Sequence, residues 1–167
     1  MNRVIVAVVI GLISARAWAG DCAQVDATMT AMATTPYSSV VTGTDPEGHP
    51  IASRMVQTST HKYVQTHGKW IAMAISSKDL LDNLSEERKS GKITCTRAGS
   101  GDVNGQPAAI YLVHIESEDI KSASKVWISA QNLVLKSEDS ANGMKGSVIY
   151  DYTHTDPPKD ATPLGAH

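Results

Sequence analysis

The sequence predicts a mainly β, α+β domain: a strongly curved antiparallel sheet, an incomplete barrel of about eight to nine strands, closed by two short helices. Three observations carry that prediction. Residues 103–152 break into short strand-like runs, each ended by turn chemistry, and such spacing fits a meander better than alternating strand and helix. In residues 69–75, Ile71, Met73 and Ile75 share one face while Trp70, Ala72 and Ala74 share the other, so neither face of that strand is polar enough to be fully wet. Only two stretches have helix signals, and both are short.

Residues 1–19 read as an export leader. Arg3 supplies the positive start, residues 4–13 the apolar run, and Ala17-Trp18-Ala19 the small-x-small cleavage site, so the mature chain is expected to begin at Gly20. The apolar run is too short to span a bilayer. Asp21 rather than a small residue precedes Cys22, which points to soluble secretion into the periplasm rather than lipid anchoring. The rest is expected to divide into one domain over 20–154 and a disordered tail over 155–167, where Asp156-Pro157-Pro158-Lys159-Asp160 has nothing to bury. Without the leader the chain carries 13 basic and 17 acidic residues and no basic cluster, which argues against nucleic acid and anionic lipid surfaces as partners. Cys22 and Cys95 are the two cysteines of the chain. In an exported protein the economical reading is a disulfide; two separate buried thiols or a metal site are the alternatives, and nothing near either has ligand spacing.

In chain order, Cys22, Val25, Met29 and Met32 recur at spacings of one helix face over 21–34, with Asp21 as N-cap and Pro36 as stop. Residues 37–44 are rich in β-branched and hydroxyl side chains, and Asp45-Pro46-Glu47-Gly48 is a type I turn signature leading into a strand over 49–58. Residues 61–65 and 69–75 form the next hairpin around Thr66-His67-Gly68. Ser76 with Asp79 three positions on resembles a capping box and opens the second helix, whose apolar residues are Leu80, Leu81 and Leu84; Arg88 and Lys89 suit its end and Gly91 its close. Residues 93–97 return as strand, and 98–102 (AGSGD) are expected to be loose. Asn104-Gly105 is then a two-residue hairpin turn. Beyond it Ala109, Tyr111, Val113 and Ile115 alternate with Ile110, Leu112 and His114, followed by strands over 125–129, 133–138 and 147–153. Gln131-Asn132, Ala141-Asn142-Gly143 and Pro157-Pro158 punctuate them.

A search for chemistry yields little. Gly99-Ser100-Gly101 lacks the spacing of a hydrolase elbow and no Lys-Ser/Thr follows it as in a phosphate loop. His61 and His67 are separated by a turn signal, His114 sits mid-strand as a half-buried core residue, and Asp151 points away from Tyr150 and Tyr152 toward solvent. With no paired carboxylates, HExxH or CxxC, the expectation is a non-enzyme without cofactor or metal. A curved sheet plugged by helices leaves an apolar pocket between plug and sheet.

Val103-Asn104-Gly105-Gln106-Pro107-Ala108 leading into Ile110-Tyr111, then Lys125-Val126-Trp127-Ile128, Leu133-Val134-Leu135-Lys136-Ser137-Glu138 and Tyr150-Asp151-Tyr152, resembles the C-terminal half of periplasmic proteins with the fold of the outer-membrane lipoprotein carriers. The resemblance covers about residues 93–153 and implies an incomplete barrel holding acyl chains or another apolar ligand. This chain is smaller than the carriers and has no Phe, whereas they line their cavities with aromatics. They hold their lid with an early-strand arginine, a position for which Arg54 is the one candidate here. The expected cavity residues are Met29 and Met32 on the first helix, Leu80 and Leu84 on the second, and Arg54, Ile71 and Met73 on early strands. From the later strands come Ile110 and Leu112, Val126 and Ile128, Leu133 and Leu135, and Val148 and Tyr150. The expected function is a soluble periplasmic binding protein or chaperone for a lipid or other hydrophobic ligand. A protein-interaction module of the envelope is the alternative, and a metal-binding or hydrolytic protein using His61, His67 or His114 a weaker one.

Overall fold

The computed structural model describes residues 17–90, 92–116, 121–141 and 143–164. The expected leader through Arg16, the helix-closing Gly91, Asn142 of a predicted turn and the last three residues lie outside that range, as do the side chains of Arg88 and Lys89. The chain runs α1 (Ala17–Thr34), β1 (Tyr37–Thr44), β2 (Pro50–Gln57), β3 (His61–Thr66), β4 (Lys69–Ala74), α2 (Ser77–Ser90), β5 (Lys92–Val103), β6 (Gln106–Glu116), β7 (Lys121–Ile128), β8 (Val134–Ala141), β9 (Met144–Asp151) and β10 (Thr162–Pro163). All nine predicted strands are present in the predicted order.

One open, curved sheet holds every strand, in the order β10-β4-β3-β2-β1-β9-β8-β7-β6-β5. β1 starts near the middle and the chain meanders outward to β4. α2 then carries it to the opposite edge, from which β5 to β9 meander back until β9 pairs antiparallel with β1. That seam joins the two meanders. At Gly43 it is tight: a Cβ there would lie 2.2 Å from the Lys145 carbonyl oxygen and 2.8 Å from Gly146 Cα, so the position is closed to any side chain.

Local chemistry accounts for the turns. Asn104 and Gly105 adopt φ of 54° and 83°, which fits the mirror-image hairpin turn that matches strand twist, and Asp102 Oδ1 accepts from Gly105 N at 2.6 Å. α2 begins with the predicted reciprocal cap: Asp79 Oδ2 accepts from Ser76 N at 2.8 Å, and Asp79 N donates to Ser76 Oγ at 3.2 Å.

Three expectations are corrected. Residues 98–102 are strand, not loop: β5 runs through them with a bulge between Arg97 and Gly99 that takes up the one residue a regular ladder cannot pair. Asp21 is not an N-cap, because α1 already begins at Ala17; its carboxylate instead accepts from Arg97 N at 3.0 Å, binding the helix to β5. The tail is ordered as far as Leu164. Thr162 and Pro163 pair in parallel with Ile71 and Ala72, and Leu164 N donates to Ala72 O at 2.8 Å, so main-chain hydrogen bonding orders a segment with little to bury.

Both sheet faces carry core. On the helix side Val25, Cys95, Tyr111, Val113 and Ile128 form one buried cluster. On the outer side Trp127, Leu135, Val103 and Ala108 form another, with Ile110 packed against it. Lys125 and Lys136 place their Nζ atoms 4.7 and 4.6 Å from the Trp127 ring centroid, covering the outer cluster with cation–π contacts. Cys22 and Cys95 form the disulfide, with Cα atoms 5.1 Å apart and a sequence separation of 73. Closing a loop of that length stabilises the fold by about 4 kcal/mol in the chain-entropy account.

Candidate functional site

α1 and α2 lie over the helix-side face and leave a cavity of about 470 Å³ beneath them. Its volume falls within the range of small-molecule sites, roughly 300–1,000 Å³. α1 is fixed over it near its start by the disulfide, by the Asp21–Arg97 contact and by a hydrogen bond from Gln24 Nε2 to Asn132 Oδ1. Further along, Val25, Met29 and Met32 form the apolar part of the roof, and Leu84 adds the α2 contribution. The floor is apolar on β5 and β6, through Ile93, Cys95, Val113 and Ile115, and continues so through Val126, Ile128 and Val134.

Across β7, β8 and β9 the lining turns polar, with Ser124, Ser137, Asp139 and Tyr150. Ser124 and Asp139 are register partners on neighbouring strands, and Ser137 Oγ donates to Asp139 Oδ2 at 2.6 Å, so the group is contiguous. Burial, with smaller contributions from Tyr37 and Asp139, pushes the Tyr150 hydroxyl up to about 12, which keeps it a neutral phenol. Tyr37 packs edge-on against Tyr150 at 5.4 Å between centroids and tilted against Tyr152 at 6.1 Å, and burial raises these two phenols as well. Tyr152 Oη donates to Val134 O at 2.8 Å.

Of the residues expected at the cavity, the structure brings Met29, Met32, Leu84, Val126, Ile128 and Tyr150 together there. Ile110 and Leu112 are on the wrong face: Ile110 packs with Trp127 on the outer side, and Leu112 is 38% exposed. Arg54, Leu133 and Leu135 line a separate, open groove of about 990 Å³ that also includes Trp70, Ile149 and the start of the tail. Ile71 and Met73 on β4, Leu80 on α2 and Val148 on β9 are not among the lining side chains of the helix-side cavity.

Val113, Ile115 and Ile93 were missed, and the β5 bulge explains why. Extending the Asn104-Gly105 register unbroken sets Cys95 opposite His114 and turns Ile110 and Leu112 toward the helix; the extra residue at Ala98 moves Cys95 opposite Val113 and reverses that choice. The disulfide is the signal that could have found them, since Cys95 must face the helix that bears Cys22.

His61, His67 and His114 form no common site. His61 begins β3, stacked against Tyr63 at 5.9 Å, and His67 lies beyond the strand's other end, about 20 Å away at the rise of an extended chain. His114, expected to be half-buried, is exposed on the outer face of β6 because it shares the parity of Leu112. Asp151 does more than face solvent: it accepts from Thr153 N at 2.7 Å and Thr153 Oγ1 at 2.6 Å, and meets His154 Nδ1 at 2.6 Å. Those contacts hold its carboxyl well below the usual carboxylate range.

The fold, an open antiparallel sheet with α1 over one face and α2 against α1, is similar to that of solved structures. MucB in its complex with MucA(peri) superposes with a TM-score of 0.51 at 14% identity, over 84% of this chain and 58% of that one. The lipoprotein LppX of Mycobacterium tuberculosis gives 0.46 at 11% identity over 84% and 99% of the two chains. A LolA superfamily protein from Nitrosomonas europaea gives 0.30 at 7% over 77% and 90%. The chain thus spans about three fifths of the MucB chain, and at these identities the likeness concerns fold alone. No protein-family model and no curated protein matches the chain.

Proposed function

We propose that this protein binds a hydrophobic ligand in the cavity between α1, α2 and the sheet, and that it does so in the periplasm after removal of residues 1–19. The observation that carries the reading is the cavity itself: about 470 Å³ of mostly apolar lining, roofed by α1 rather than filled. Burying apolar ligand surface there is favourable at roughly 25 cal/mol per Å² before the cost of immobilisation. Export is supported by the leader-like sequence and the disulfide, a bond that persists in oxidising compartments. Among the described residues no helix is long and apolar enough to cross a membrane.

Native mass spectrometry of protein recovered from an envelope extract, followed by organic extraction, tests this directly. A co-purifying apolar species near one per chain is expected. In vitro the neutral fluorophore 1-N-phenylnaphthylamine should bind, and Ala23→Trp, which sets a large ring at an exposed position of the cavity wall, should weaken that binding at least tenfold. Probe binding unchanged by Ala23→Trp, with no extracted ligand, defeats the reading.

The second reading is a protein-interaction role, favoured by the fold shared with MucB in its complex with MucA(peri). The outer groove along Arg54, Trp70, Leu133 and Ile149 is the surface it would use. An envelope partner lost on Trp70→Ala, with the cavity variant still binding that partner, would select this reading.

A further inference from the structure

The charge of the cavity lining points past "hydrophobic ligand" to a head group. Two carboxylates, Asp26 and Asp139, line the cavity, and among the described residues no lysine, arginine or histidine does so. Asp139 is half-buried at the polar end of the lining and takes part in none of the ion pairs found among the described residues. Its hydrogen bond from Ser137 occupies one carboxylate oxygen, and a carboxylate has about four acceptor sites. Ser124 stands across from it on β7, and the neutral Tyr150 phenol lines the same region. An anionic head, such as a free fatty-acid carboxylate or a phosphate, would meet like charge at Asp139, which is in no ion pair found among the described residues. A cationic head would pair with a carboxylate already held in place, and its desolvation would be offset by that pairing.

We propose that the cavity takes a single-chain amphiphile with an amine-type cationic head. The head sits at Asp139 and Ser124, and the chain runs along Val113, Ile115 and Ile93 beneath Met29 and Met32. This rests on the reading of the cavity as a ligand site. The polarity gradient across one floor supports it: apolar on β5 and β6, hydroxyl and carboxylate on β7 to β9.

The test is competition against bound 1-N-phenylnaphthylamine by three twelve-carbon compounds that differ only in the head: dodecylamine, dodecanol and dodecanoate, each below its micelle concentration. The amine is expected to displace the probe at about tenfold lower concentration than the carboxylate, equivalent to about 1.4 kcal/mol. Asp139→Asn keeps the shape and can still accept from Ser137. It should bring dodecylamine to the level of dodecanol, while Asp139→Glu keeps the amine advantage. Dodecanoate competing as well as dodecylamine overturns the assignment, as does an amine preference that survives Asp139→Asn in folded protein. Should Asp139→Asn fail to fold, the head-group ranking of the unaltered protein decides alone. A probe that binds without head-group preference removes only this inference; a probe insensitive to Ala23→Trp, with no ligand extracted, removes the ligand-site reading with it.

Discussion

Tyr150 shows how one residue links cavity and stability. Its phenol is pushed up to about 12 from 10.0, first by burial, so the fold favours the neutral form over the unfolded chain. Because the folded value is the higher one, the contribution is complete below about pH 10 and is lost as pH rises from there through 12. Chemical denaturation midpoints should therefore fall over that alkaline range, and Tyr150→Phe should flatten the fall. Absorbance titration checks the same point: all five tyrosines ionising together near pH 10 would contradict it. The identity of Tyr150 as a cavity residue was legible from strand alternation. Asp139, by contrast, carries no sequence signal: a lone aspartate among the polar residues of β8 reads as solvated, and only the register with Ser124 brings it to the lining of the helix-side cavity.

At the scale of elements, the hairpins and the start and cap of α2 were readable because each is set within a few residues. Asn104-Gly105 and Ser76 with Asp79 are examples. The β5 bulge was not, because Gly99-Ser100-Gly101 looks flexible in isolation and becomes strand only through its pairing with Ala108 to Ile110. That single irregularity decides which side of β6 meets the helix-side cavity. The β1–β9 seam likewise joins segments far apart in sequence. Gly43→Ala should damage it selectively, since the new methyl would collide with main chain, which cannot swing aside as a side chain does. A loss of about 1–3 kcal/mol is expected from such overpacking, read as a lower urea midpoint at unchanged slope. Thr42→Ala, one residue earlier and exposed, should cost far less.

For the whole molecule, the two long edges of the sheet are managed differently. β5 has α1 fixed to it through Asp21 and the disulfide, whereas β4 is covered by the tail strand β10. Unpaired strand edges invite association. A chain ending at Asp160 should therefore lose hydrogen-exchange protection along β4 and self-associate at high concentration in size-exclusion chromatography. Its affinity for the cavity probe should stay the same, because no β4 side chain lines the helix-side cavity. A truncated chain that remains monomeric with full β4 protection would show that β10 contributes nothing to the edge.

What the sequence by itself determined is the local grammar: nine strands in order, two helices, the cap of α2, the turns, the pair of cysteines and the presence of apolar residues on both faces of the sheet. These follow from alternation, helical spacing and turn propensity, which act over a handful of residues. The tertiary structure decided the rest. It set which meander edge pairs with which, where the tail goes, and which parity of β6 faces α1. It also gathered Ser124, Ser137, Asp139 and Tyr150 into one polar wall. Those outcomes depend on register between segments far apart in sequence, and a one-residue bulge is enough to exchange the two faces of a strand.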